Sequence, residues 1–74
     1  MILKITYCNE WNYLPKASRV EQELKTAHPD VSVQLISGSG GIFDVVADGK
    51  LIYSKRSTGR FPNEGEISAL LSDL

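Results

Sequence analysis

Hydrophobic and polar residues alternate from Ile2 to Cys8. Leu3, Ile5 and Tyr7 fall on one side and Lys4 and Thr6 on the other, the period of two that marks a half-buried strand. Asn9 to Asn12 breaks the alternation, and the period then changes. Tyr13, Ala17, Val20, Leu24 and Ala27 recur at spacings that share one face of a helix. Pro15 suits the first turn of that helix, where its missing N–H would have no partner. Pro29 marks the end, with His28 in the last turn.

Val31, Val33 and Leu35 alternate with Ser32 and Gln34, which predicts a second strand. Ser37 to Gly41 reads as a flexible connection. Ile42 to Ala47 and Lys50 to Lys55 are two further strands joined by Asp48-Gly49, a two-residue hairpin signal because both positions must tolerate positive φ. Arg56 to Pro62 reads as loop. Asn63 is the expected cap of a final helix, with Glu66 as its reciprocal partner and Ile67, Leu70, Leu71 and Leu74 as the buried stripe. Gly65 is expected to weaken the start of this helix. The order is β-α-β-β-β-α. A right-handed βαβ unit followed by a hairpin gives a mixed four-stranded sheet with both helices on one face, a two-layer α+β domain of thioredoxin-like arrangement. Residues 1–74 form one domain, with no internal repeat and no linker.

Composition narrows the function. Nine acidic and eight basic residues leave a formal net charge of -1, which argues against an electrostatic role on nucleic acid or acidic lipid. No apolar run has the length of a membrane span. Met1 to Tyr7 carries Lys4 and no apolar stretch follows it, so no signal peptide is expected. The chain has one cysteine, Cys8, and so no intrachain disulfide and no Cys/His cluster for a metal. A reduced, cytoplasmic setting is the natural expectation.

Cys8 falls at the carboxyl end of the first strand, the edge of an open sheet where sites gather. A cysteine just before a helix is placed for thiol exchange, since the positive end of the helix dipole favours the thiolate. At least part of its sulfur is expected to be accessible. Glu10 opposes this effect if its carboxylate points at the sulfur. A small buried hydrophobe ending a strand explains Cys8 slightly better on position alone.

The glycines from Gly38 to Gly41 precede a strand rather than a helix, so they read as a turn and not as a phosphate loop. Lys50, Lys55, Arg56 and Arg60 make the hairpin and the loop after it locally basic, suited to the carboxylates of an acidic partner. A solvated charged edge that discourages sheet-to-sheet association explains them more simply. His28 is accounted for by its place at a helix C-terminus, and Ser18 and Ser39 have no His/Asp arrangement beside them.

Four stretches carry a family resemblance. They are Tyr7-Cys8-x-x-Trp11-x-Tyr13-Leu14, Gly40-Gly41-Ile42-Phe43-Asp44-Val45, Asp48-Gly49-Lys50-Leu51-Ile52-Tyr53-Ser54-Lys55 and Gly59-Arg60-Phe61-Pro62. In these, nearly the whole chain resembles the selenoprotein W-like (Rdx) family, which includes the SelW, SelT and SelH types. The resemblance implies a thioredoxin-like fold and a Cys-x-x-Cys or Cys-x-x-selenocysteine motif in the loop after the first strand. It also implies thiol redox chemistry with glutathione or a thioredoxin-type partner in cell redox homeostasis. Protein partners such as 14-3-3 are associated with the family.

On this chain the first motif cysteine is Cys8. Trp11 stands where the second cysteine or selenocysteine is expected, and an indole takes no part in a disulfide. The segment before Ile42 also lacks the proline that thioredoxins and glutaredoxins carry there in cis.

Three readings of position 11 follow. Cys8 acts as a monothiol, resolved by a thiol from outside. Alternatively the chain is a redox-silent binding module using Trp11 and nearby loops. Or the codon is UGA, and the residue is selenocysteine in the cell. The monothiol reading leads: Cys8 as the redox thiol in a thiol–disulfide exchange or deglutathionylating activity. Glutathione would be a co-substrate, no cofactor would be tightly bound, and no nucleic acid or membrane would be partner.

Overall fold

A computed structural model describes all of residues 1–74. The elements run β1 (Ile2–Cys8), α1 (Leu14–Ala27), β2 (Ser32–Gly38), β3 (Phe43–Ala47), β4 (Lys50–Ser54), α2 (Lys55–Thr58) and α3 (Glu66–Ser72). The sheet order is β2-β1-β3-β4. β1 is central, parallel to β2 and antiparallel to β3, and β3 and β4 form the hairpin. This is the mixed α+β sheet that the chain order predicts, with α1 bringing β2 back alongside β1.

The core lies between the sheet and the helices. Leu3 and Ile5 of β1, Phe43, Val45 and Ala47 of β3, and Tyr53 of β4 meet Ala17, Val20 and Leu24 of α1 and Ile67 and Leu71 of α3. The helical stripe read from the sequence is therefore the buried face of α1, except that Ala27 is exposed and Tyr13 stands just before the helix. Val33 and Leu35 are only half-buried because β2 is an edge strand. No helix is long and apolar enough to cross a membrane.

The Asp48-Gly49 turn has φ of 47° and 84°, as a two-residue hairpin requires. Asp48 does more than turn the chain: its Oδ1 accepts the Ile2 N–H at 2.8 Å, and its own N–H donates to the Ile2 carbonyl at 2.9 Å. A bulge between Val45 and Val46 sets Tyr53 opposite Val45 and Leu51 opposite Val46.

Five expectations are corrected. Ser37 and Gly38 are strand, paired with Tyr7 and Cys8, and not part of a flexible connection. A side chain at Gly38 would come within 2.9 Å of Ile42 Cγ2 and 3.1 Å of Thr6 Cγ2, so glycine serves close strand approach there. The segment after β4 opens with a single helical turn, Lys55–Thr58, closed by Gly59 at φ 76°. It carries too few residues to show a periodicity.

Gly65 lies outside α3, not within it. It occupies the cap position at φ 79°, where a side chain would be strained. Asn63 contributes its backbone N–H to Glu66 Oε1 at 2.9 Å, while its side chain makes no cap bond. Only half of the expected reciprocal cap forms. Leu74 is exposed, since α3 ends at Ser72.

Candidate functional site

β1 delivers Cys8 to its carboxyl end with the backbone fully engaged. The Cys8 N–H donates to the Ile42 carbonyl at 2.8 Å, and the Cys8 carbonyl accepts the Tyr13 N–H at 3.0 Å. The next N–H, of Asn9, donates to the Gly38 carbonyl at 3.0 Å. Between these anchors the loop folds back on the strand end, helped by Asn12 at φ 58°, a left-handed conformation that asparagine tolerates. The return brings the Trp11 N–H to 3.3 Å from Cys8 Sγ. That N–H is a hydrogen-bond donor to the sulfur.

The sulfur is not accessible. Cys8 is 0% exposed, which corrects the expectation of a partly open thiol. The cause is the fold-back of residues 9–13, which no local periodicity records. The polar contact to sulfur comes from the loop backbone ahead of α1, which starts at Leu14. Glu10 Oε1 accepts the Gly40 N–H at 3.2 Å and so is committed to the glycine loop.

Trp11 is 60% exposed. Its ring lies on Gly41, where a Cβ would fall within 2.9 Å of Cε3, and Gly41 at φ 79° is the residue before the one that holds the Cys8 N–H. From Trp11 a series of edge-to-face rings runs inward. Trp11 meets Tyr13 at 6.0 Å between centroids, Tyr13 meets Phe61 at 4.7 Å, and Phe61 meets the fully buried Phe43 at 5.3 Å. Phe61 and Tyr13 thus link the Gly-x-Phe-Pro loop to the loop that covers Cys8.

The basic residues expected to act together are divided. Lys50 lies in the hairpin at the opposite end of the sheet from Cys8. Arg60 is committed to Glu66 through two bonds, Nη1 to Oε1 at 2.7 Å and Nη2 to Oε2 at 3.0 Å. This pairing, reinforced by the Asn63 N–H, pulls the Glu66 carboxyl down to about 2 and raises Arg60 above its ordinary value.

Lys55 remains at the Cys8 edge, with Arg56 beside it. Lys16 of α1, which the sequence reading did not single out, joins them: its Nζ lies 5.3 Å from the Phe61 ring centre. The available signal was its place in the first turn of α1, next to the Cys8 loop.

His28 is a structural tie, its Nε2 2.9 Å from Ser68 Oγ across to α3. No three His, Cys, Asp or Glu side chains come together to hold a metal. No surface cavity is lined by Cys8 or Trp11. The largest, of about 570 Å³, lies between α1 and α3 among residues such as Arg19, Glu23 and Ser68.

A central strand ending in a buried cysteine, a loop returning an N–H to its sulfur and a mixed sheet layered by helices define a thioredoxin-like α+β domain. The model of the Rdx family matches residues 2–73, and the chain belongs to that family. Among solved structures it is similar to a selenoprotein W-related protein from Vibrio cholerae, with a TM-score of 0.89 and 23% identity over 97% of this chain and 92% of that one. It is also similar to a Bordetella parapertussis protein, with a TM-score of 0.84 and 26% identity over 97% and 94% of the two chains. Among curated proteins, "Migration and invasion enhancer 1" of Mus musculus is 31% identical over 85% of this chain, and that of Bos taurus is 30% identical over the same share. The chain spans 55% of the length of each of these two relatives.

Proposed function

We propose that the chain is a thiol redox protein that uses Cys8 as a single nucleophile, with glutathione or a thioredoxin-type protein as its exchange partner. The observation that carries this reading is the Trp11 N–H held 3.3 Å from Cys8 Sγ, which sets a hydrogen-bond donor on the chain's one thiol sulfur. In the first step the Cys8 thiolate attacks one sulfur of oxidised glutathione. A Cys8–glutathione disulfide forms and a glutathione thiolate leaves. In the second, a thiolate from outside attacks the glutathione sulfur and Cys8 leaves as thiolate. Trp11 supplies no internal thiol, so the adduct waits for that outside reductant. Because Cys8 has no exposed surface, exchange requires residues 9–13 to lift. A reducing compartment such as the cytoplasm suits a lone free thiol.

Intact-mass spectrometry after incubation with oxidised glutathione tests the proposal. Wild type is expected to gain one glutathione and Cys8→Ser none, with the adduct persisting until excess reduced glutathione is added. No glutathione adduct on Cys8 of the folded protein, under conditions where the denatured chain acquires one, would remove the redox reading. A second reading has its own support, the full burial of Cys8 beside a 60% exposed Trp11. On that reading the same edge is a redox-silent docking surface for a protein.

A further inference from the structure

Cys8 does not account for the cations around it. Lys16 Nζ and Lys55 Nζ, from two different helices, each lie 5.3 Å from the centre of the Phe61 ring, and Lys55 Nζ also lies 5.6 Å from the centre of Tyr13. They flank the outer part of the ring series that ends in Trp11. Neither has a carboxylate partner, since the two ion pairs of the chain are Lys25–Glu21 and Arg60–Glu66. Arg56, next in the chain, is exposed and in no ion pair, but it lines a small cavity with Asp44 and Ser54 and not the outer part of the ring series.

The carboxylate of the Cys8 loop, Glu10, accepts the Gly40 N–H and makes no ion pair with them. Leu14 and Trp11, 40% and 60% exposed, add apolar area. A chain with a formal net charge of -1 therefore gathers unpaired positive charge around an aromatic surface at one edge. That surface is not a cavity, which disfavours a small ligand and favours a protein segment laid across it.

We propose that this strip docks an acidic segment of a partner protein in which carboxylates alternate with apolar side chains. The carboxylates meet Lys16 and Lys55, and an apolar side chain rests against Trp11 and Tyr13. Charge complementarity selects the partner and speeds its approach. The proposal rests on the docking reading of this edge and does not depend on thiol exchange.

Trp11 is the only tryptophan, so its emission reports on the strip directly. The test titrates the protein with a short acetylated Glu-Glu-Leu repeat peptide, its Ser-Ser-Leu and Lys-Lys-Leu counterparts, oxidised glutathione and a short oligothymidylate. The acidic peptide is expected to shift Trp11 emission saturably and more weakly as salt is added. Lys16→Glu/Lys55→Glu should weaken it by about tenfold or more. The milder Lys16→Gln/Lys55→Gln gives an intermediate loss, and circular dichroism checks that both variants are folded. Titration of Cys8→Ser, which has no thiol to exchange, separates docking from redox chemistry.

Equal binding of the neutral or basic peptide would overturn the acidic partner while leaving a docking surface. Binding unaffected by the lysine variants would overturn the assigned strip. Oligothymidylate or glutathione binding as tightly as the acidic peptide would overturn the protein partner. No response to any peptide would overturn this proposal and the docking reading together.

Discussion

The Trp11 N–H points at Cys8 Sγ across 3.3 Å, so the backbone of the residue three positions on already closes over the sulfur. A cysteine at position 11 would start from that closed loop. Trp11→Cys is therefore expected to form a disulfide with Cys8, which needs Cα atoms within about 7 Å. Mass spectrometry after mild oxidation should show the loss of two hydrogens. A folded variant that stays reduced would contradict the alignment of position 11 with the second motif position.

The indole on Gly41 is expected to hold the loop over Cys8 shut. Wild type should react slowly with a thiol label under native conditions and fully once denatured, given a sulfur with no exposed surface. Trp11→Ala should speed native labelling on the order of tenfold, the equivalent of about 1.4 kcal/mol in the opening equilibrium. Gly41→Ala should act in the same direction, because its Cβ enters the space of the ring at a φ of 79°. Native rates unchanged in both variants would mean that another contact guards the sulfur.

Gly49 at φ 84° has open space where a Cβ would be, so a substitution there acts through backbone strain and not through collision. Gly49→Val is expected to cost about 1–3 kcal/mol. A urea melt measures it, and an unchanged midpoint would contradict the role of the turn.

Glu66 gives a pH dependence of known sign. Its folded carboxyl sits at about 2, below the ordinary value of 4.5. The unfolded chain therefore binds the proton first as pH falls. The contribution of the Arg60–Glu66 pair is complete above about 4.5 and fades toward 2. Partial exposure of both side chains keeps it modest. Melts across that interval should show wild type losing more stability than Glu66→Gln, and parallel curves would argue against the pairing.

The parts of the fold that were legible in the sequence are those set by near neighbours. The alternation in β1, the stripe of Ala17, Val20 and Leu24, and the Asp48-Gly49 turn each report a local backbone preference. Ser37 and Gly38 were missed because their strand character comes from pairing with Tyr7 and Cys8, far away in the chain. Gly65 looked like a defect in a helix because the capping residues Asn63 and Glu66 suggested an earlier start than the backbone takes. At the site, the position of Cys8 was readable but its burial was not, since that depends on a loop reversing direction through Asn12. Lys16 was invisible for a related reason: its neighbour Phe61 arrives from another element.

The central place of β1 has a consequence for synthesis. β1 leaves the ribosome before either strand that borders it, and its second border, β3, follows only after α1 and β2. Until Phe43–Ala47 has emerged, the backbone of Leu3, Ile5 and Tyr7 has no partner on that side. A nascent chain halted at Gly38 would present a bare, apolar strand edge, the kind of surface that recruits other chains. Release of the hairpin ends that exposure, and Asp48 then fastens the start of β1 through its two bonds to Ile2.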